Sequence, residues 1–125
     1  MGGPPWAVTV TAGGGLAAGN MTTGSYVSAD GKDWHVTPFR DARGTKMAME
    51  YATQPSDPNH VLMTAYGVVS SNDGGMTWHP ALRSKVMFGP VAWAPGQSGT
   101  AYAVGFDRSL WRSVDGGKTR TPVSG

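Results

Sequence analysis

Three short segments of this chain repeat one another. They are Ser28-Ala29-Asp30-Gly31-Lys32-Asp33-Trp34, Ser71-Asn72-Asp73-Gly74-Gly75-Met76-Thr77-Trp78, and Ser113-Val114-Asp115-Gly116-Gly117-Lys118-Thr119-Arg120, with aspartates 43 and 42 residues apart. A fixed period in the forties leaves few folds open, because each copy must be one supersecondary unit that buries its apolar face against the next. Helical repeats of that length need amphipathic helices, and the apolar residues here do not recur at helical spacing.

The letters of the segment carry their own chemistry. An Asp carboxylate accepts hydrogen bonds from backbone N–H groups just after it, and Gly supplies the positive φ of a tight turn. The Ser hydroxyl braces the same turn, and the Trp that follows starts a strand with a large apolar anchor. Short apolar runs between turn signals then supply the other strands. In the third unit they are Val91 to Ala94, Thr100 to Val104, Ser109 to Arg112 and Thr119 to Val123. In the second they are Met49 to Thr53, Val61 to Ala65, Val68 to Ser71 and Thr77 to Ala81, with a turn at Pro55 to Asn59. The first gives Ala7 to Thr11, Leu16 to Asn20, Ser25 to Ser28 and Asp33 to Pro38.

Four strands per unit, three units and no residues left over predict an all-β chain of three four-stranded antiparallel β-propeller blades, at about 5–39, 47–82 and 87–124. A propeller closes with about four to eight blades, so the expectation is a partial propeller or half of a six-bladed dimeric ring. The two end faces should then be apolar. Arg40 to Lys46 and Arg83 to Lys85 read as connections between blades, where binding loops are expected.

Composition narrows the function. Glycine at 19 residues, beside Asp, Ser and Thr, is about twice the usual share and marks turn-rich β structure. Lys and Arg number 10 against 8 Asp and Glu, a net charge of +2 with no basic run, so nucleic acid is not an expected partner. The absence of cysteine excludes disulfides, thiolate metal sites and a cysteine nucleophile. No stretch approaches the roughly 18 apolar residues of a membrane span, and the start, Met1-Gly2-Gly3-Pro4-Pro5-Trp6, has no signal-peptide pattern.

At the three segments the chain resembles the Asp-box family, or bacterial neuraminidase repeats, found in sialidases, xyloglucanase-type glycosidases, sortilin-type receptors and photosystem II assembly factors. The middle box fits Ser-x-Asp-x-Gly-x-Thr-Trp throughout. The first is one residue shorter, with Asp33 where Thr is usual, and the third carries Arg120 in place of Trp. The resemblance implies structural roles for Ser28, Asp30, Gly31, Trp34, Ser71, Asp73, Gly75, Thr77, Trp78, Ser113, Asp115, Gly117 and Thr119, away from any catalytic face. It also implies a secreted or cell-envelope setting.

A sialidase, by that resemblance, needs three arginines on a carboxylate, a Tyr nucleophile with a Glu partner, and an Asp acid/base. Phe39-Arg40 matches two letters of the sialidase Phe-Arg-Ile-Pro motif, with Arg43 close by. Glu50 is the only glutamate. It neighbours Tyr51 on a predicted inner strand, and adjacent strand residues face opposite sides, so the two cannot act as a pair. A two-carboxylate mechanism would need Asp41 or Asp107 as partner. Metal and cofactor are not expected: His35 and His79 are repeat positions after a box Trp, His60 sits in a turn, and each Asp-Gly loop offers too few carboxylates for calcium's roughly six to eight oxygens. Trp93 and Trp111 are expected in the core, and Trp6 is the aromatic left to stack on a sugar. Asn20-Met21-Thr22 has the form of a glycosylation triplet. The reading is a binding or scaffold module for a glycan or protein, completed by further blades from a second copy or a longer parent chain. The alternative is a fragment of a sialidase-like or other glycoside hydrolase, using Glu50, Arg40 and Arg43.

Overall fold

A computed structural model of the chain describes residues 7–20, 24–39, 41–95, 99–114 and 121–124. Apart from one 3-10 turn at Ala12–Gly14, every regular element described is a strand: β1 Ala7–Val10, β2 Leu16–Asn20, β3 Gly24–Ser28, β4 His35–Thr37, β5 Glu50–Gln54, β6 Asp57–Ser71, β7 His79–Trp93, β8 Ala101–Gly105, β9 Ser109–Ser113 and β10 Thr121–Ser124. All pairings are antiparallel. The first sheet has the order β1-β2-β3-β4 and the second runs β10-β9-β8-β7-β6-β5.

Two strands of the second sheet are longer than the sequence suggests. β6 is folded back on itself at Gly67. A straight strand would hold residues ten apart about 33 Å from one another, yet His60 Nε2 lies 3.0 Å from the Ser70 hydroxyl. Gly67 has φ +89°, and a Cβ there would run into the Leu82 carbonyl, so only glycine fits the fold. Its arms are the predicted second and third strands of the middle unit. β7 serves two units: its first part pairs with Val68, Val69 and Ser70, and its last part, from Phe88, with β8. Arg83 to Lys85 therefore lies within the span of β7, as an unpaired bulge between the Leu82–Val68 and Met87–Tyr66 pairs, and it still joins the middle unit to the third. The Pro55–Asn59 turn is also shorter than expected, since β6 begins at Asp57.

Burial follows this arrangement. On β6, Leu62 and Val68 join Ala81, Phe88, Ala101, Ala103 and Trp111 in one core, while Met63, Ala65 and Val69 join Phe39 and Ala48 in another. The middle unit is covered on both faces, and its sequence reads accordingly as a near-continuous apolar run. Each fully buried Leu or Val stabilises by about 1.5–3 kcal/mol. Trp93 and Trp111 both belong to the first core, Trp111 with no exposed surface. The Trp111 indole N–H has no acceptor among the described residues.

Contacts between units recur at the sequence period. Thr9 and Thr53 share a hydroxyl hydrogen bond of 2.7 Å at a separation of 44 residues. Trp78 Nε1 donates to Thr37 and Trp93 Nε1 to the Ala52 carbonyl, each at 41, and Arg43 Nε to the Lys85 carbonyl at 42. Successive units thus touch through corresponding positions. The chain has the β-propeller fold, as a part-propeller of four-stranded antiparallel blades.

Candidate functional site

Two kinds of local site emerge, the turns after β3 and β6, and the corner where the 38–49 connection meets β6 and β7. In the first turn the Ser28 hydroxyl accepts the N–H of Asp30 at 3.3 Å and of Gly31 at 2.8 Å. Asp30 Oδ1 then accepts the N–H groups of Lys32 at 2.8 Å and Asp33 at 3.0 Å. In the second, the Ser71 hydroxyl takes the N–H of Asp73 at 3.3 Å and of Gly75 at 2.9 Å, and Thr77 donates to Asp73 twice, from its backbone at 2.9 Å and its hydroxyl at 2.6 Å. Gly75 takes φ +93° and packs its turn on Val27 and Ala17 of the first sheet. Trp34 is half-buried, and Trp78 is packed against the Phe39–Val69 core. Asp115, Gly117 and Thr119 lie outside the described residues, and Ser113 is buried on β9.

These bonds set the charges. Backbone N–H donation from Asp33 and Lys32, then the Ser28 hydroxyl, holds the Asp30 carboxyl below its ordinary value. At Asp73 slight burial pulls upward, but the Thr77 and Ser71 bonds together outweigh it and the carboxyl again lies low. Both carboxylates are committed to their turns as acceptors. A shallow groove of about 210 Å³ runs between the two turns, past Thr11, Leu16, Asn59, Asp73 and Met76.

At the corner, Asp41 is buried and spent on its own loop. Its Oδ1 accepts the N–H of Arg43 at 3.0 Å and of Thr45 at 2.9 Å, and its Oδ2 takes the Thr45 hydroxyl and the Tyr66 N–H at 3.3 Å. The loop so fixed lays the Arg43 guanidinium 4.4 Å from the centroid of the Tyr66 ring, with Nε held by the Lys85 carbonyl at 3.0 Å. The hollow beneath, bounded by Asp41, Tyr66, Leu82 and Arg83, measures about 20 Å³. That is room for one water and no substrate.

The remaining candidates are dispersed. Glu50 is exposed at the start of β5, opposite Thr64. Tyr51 points the other way, with its hydroxyl 2.8 Å from Ser25, and burial pushes its phenol far above the ordinary range despite that bond. Asp107 caps the β8–β9 turn through Ser109, whose side-chain and backbone bonds keep its carboxyl low. The structure thus brings Asp41 and Arg43 together, and it gives Asp41, Asp107 and Glu50 separate local settings. Arg40 and Trp6 lie outside the described residues. His60 is corrected from a turn residue to a buried strand residue, bonded to Gln54 at 3.0 Å and to Ser70, with its ring edge on Trp93. The Pro58-Asn59 pair hid it, since both residues sit exposed on the outer end of β6. Tyr66 also escaped the sequence reading, because its role depends on the fold-back at Gly67. Among the described residues no group of three or more His, Cys, Asp or Glu is placed to hold a metal, and no helix is long and apolar enough to cross a membrane.

Several solved structures share the arrangement. An ancestral GH74 enzyme superimposes with a TM-score of 0.81, 18% identity, and 98% of this chain covered by 18% of its own. The GH74 xyloglucanase from Xanthomonas campestris gives 0.78 and 21% identity over 96% of this chain and 20% of its own. YCF48 from Cyanidioschyzon merolae gives 0.52 and 26% identity over 61% and 26%. The chain spans about a fifth of the length of the first two. These likenesses establish the fold. No protein-family model matches the chain, and no curated protein matches it.

Proposed function

We propose that the chain is an Asp-box propeller segment, with blades at about 5–39, 47–82 and 87–124, that acts as a binding or scaffold unit for a glycan or protein partner. Further blades complete its ends. The observation that carries the binding role is the corner of Arg43 and Tyr66. Arg43 is exposed, its guanidinium is stacked and its Nε is anchored. An arginine ordered in advance loses little freedom when its terminal N–H groups grip a ligand, and Arg and Tyr are the side chains that most often anchor interfaces. The Asp41 bonds hold that corner rigid without offering a free carboxylate. Neighbouring folds that are glycoside hydrolases, one a xyloglucanase, make a glycan the first ligand to try.

The test is a glycan screen that includes xyloglucan oligosaccharides and sialosides, followed by titration of any hit against Arg43→Ala. Binding should weaken about tenfold or more, the loss of about 1.4 kcal/mol expected for a charged hydrogen-bonding group. A hit that Arg43→Ala binds as well as the wild type would remove the corner from the proposal. The hydrolase reading is tested on the same oligosaccharides by product release. Turnover that disappears in Glu50→Gln would replace the binding role with an enzymatic one.

A further inference from the structure

Each of the two outer faces of the molecule carries exposed apolar side chains. In the first sheet Thr9, Ser25 and Thr37 bond to the middle unit, so by strand alternation Val8, Val10, Tyr26 and Val36 stand on the opposite face. Val8, Val10 and Val36 are 62%, 60% and 62% exposed. In the third unit Trp93, Ala103 and Trp111 face the middle core, leaving Ala92, Tyr102, Val104 and Leu110 on the outer face together with the exposed Arg112.

The register shows what the first face is built to meet. Across the first sheet Val8, Ala18, Tyr26 and Val36 stand in one row, and across the third unit Val91, Ala103, Trp111 and Pro122 do. The next row pairs Val10, Leu16 and Ser28 in the one with Trp93, Ala101 and Ser113 in the other. Tyr26 therefore occupies the place of Trp111, and Val10 that of Trp93. Those positions seat the third unit on the middle one, where Trp111 is wholly buried. In the first sheet Val10 is exposed at its position and Tyr26 is half-buried at the one where Trp111 is wholly covered.

We propose that a second copy of this chain covers both faces, head to tail. The Tyr102–Val104–Leu110 face of each copy seats on the Val8–Tyr26–Val36 face of the other, closing a six-bladed ring about a two-fold axis. This rests on the reading of the units as successive blades. A face of four strands at about 4.8 Å spacing and five residues at about 3.3 Å covers about 300 Å². Two interfaces of two such faces bury about 1,200 Å², which reaches the range of stable dimers.

Light scattering after size exclusion should give twice 13.0 kDa. Val36→Glu alone and Val104→Lys alone should each shift the mass to monomer, and mixing the two should restore a dimer, because one interface is then wild type and the other holds both substitutions, of opposite charge. A monomeric wild-type chain overturns the proposal and leaves the faces to blades of a different or longer chain. Open-ended polymers overturn it as well, as does a Val104→Lys variant that stays dimeric, since that would mean like faces meet. Val36 and Val104 are exposed, so both variants should keep the fold, checked by far-ultraviolet circular dichroism. The chain has no cysteine, so Thr9→Cys with Thr53→Cys reports blade packing separately. A disulfide within one chain alongside a monomeric mass sinks the second copy alone. Failure of that disulfide sinks the blade reading and the ring with it.

Discussion

The turn residues act through bonds that can be removed one at a time. Ser71 is fully buried and its hydroxyl satisfies the N–H groups of Asp73 and Gly75. Ser71→Ala leaves them without that acceptor and should cost about 1–3 kcal/mol, read as a lowered urea midpoint with unchanged slope. Asp73 has a depressed carboxyl in the folded state. Its contribution is whole above the unfolded value of about 3.9 and disappears as pH falls through the lower folded value. Stability should thus fall on acidification below about pH 4, and Asp73→Asn should flatten that part of the profile. Tyr51 behaves oppositely. Its raised phenol keeps its proton in the fold while the unfolded phenol ionises near pH 10, so stability should decline above about pH 10 and less so in Tyr51→Phe. Of the residues in these sites, Asp30 and Asp73 are legible from sequence because their partners lie within four positions. Asp41 has local partners too, in Arg43 and Thr45, but Tyr66 and His60 are not legible, because their settings depend on a strand that turns back, with partners 25 and ten residues away.

At the level of elements, alternation and turn letters placed the strands of the first and third units within a few residues. The second unit marks its strands less clearly. A strand buried on both faces shows no alternation to mark its ends, and β7 crosses from one unit to the next where Arg83 and Lys85 suggested a loop. Gly67 is the joint of that region. Gly67→Ala meets both a positive φ and the Leu82 carbonyl, and it should destabilise by several kcal/mol or prevent folding. Gly44, with φ +75° and nothing near its missing Cβ, is the control: Gly44→Ala should cost about 1 kcal/mol from backbone strain alone.

For the whole molecule, the repeat period fixed the fold while leaving function to surfaces that few residues define. Four of the bonds between units, Thr9–Thr53, Arg43–Lys85, Trp78–Thr37 and Trp93–Ala52, span 41 to 44 residues, and that spacing bears also on how the chain reaches its fold. Bringing each unit onto the last closes a segment of the same length, so the entropy lost per step stays constant however many units follow. Hairpins between adjacent strands and contacts between adjacent units are the pattern expected to fold by early local pairing followed by docking of neighbours. Joining two such chains has no tether, and its rate depends on concentration. Refolding from urea should therefore show a fast phase independent of protein concentration and a slower one that accelerates with it, the second absent in Val36→Glu.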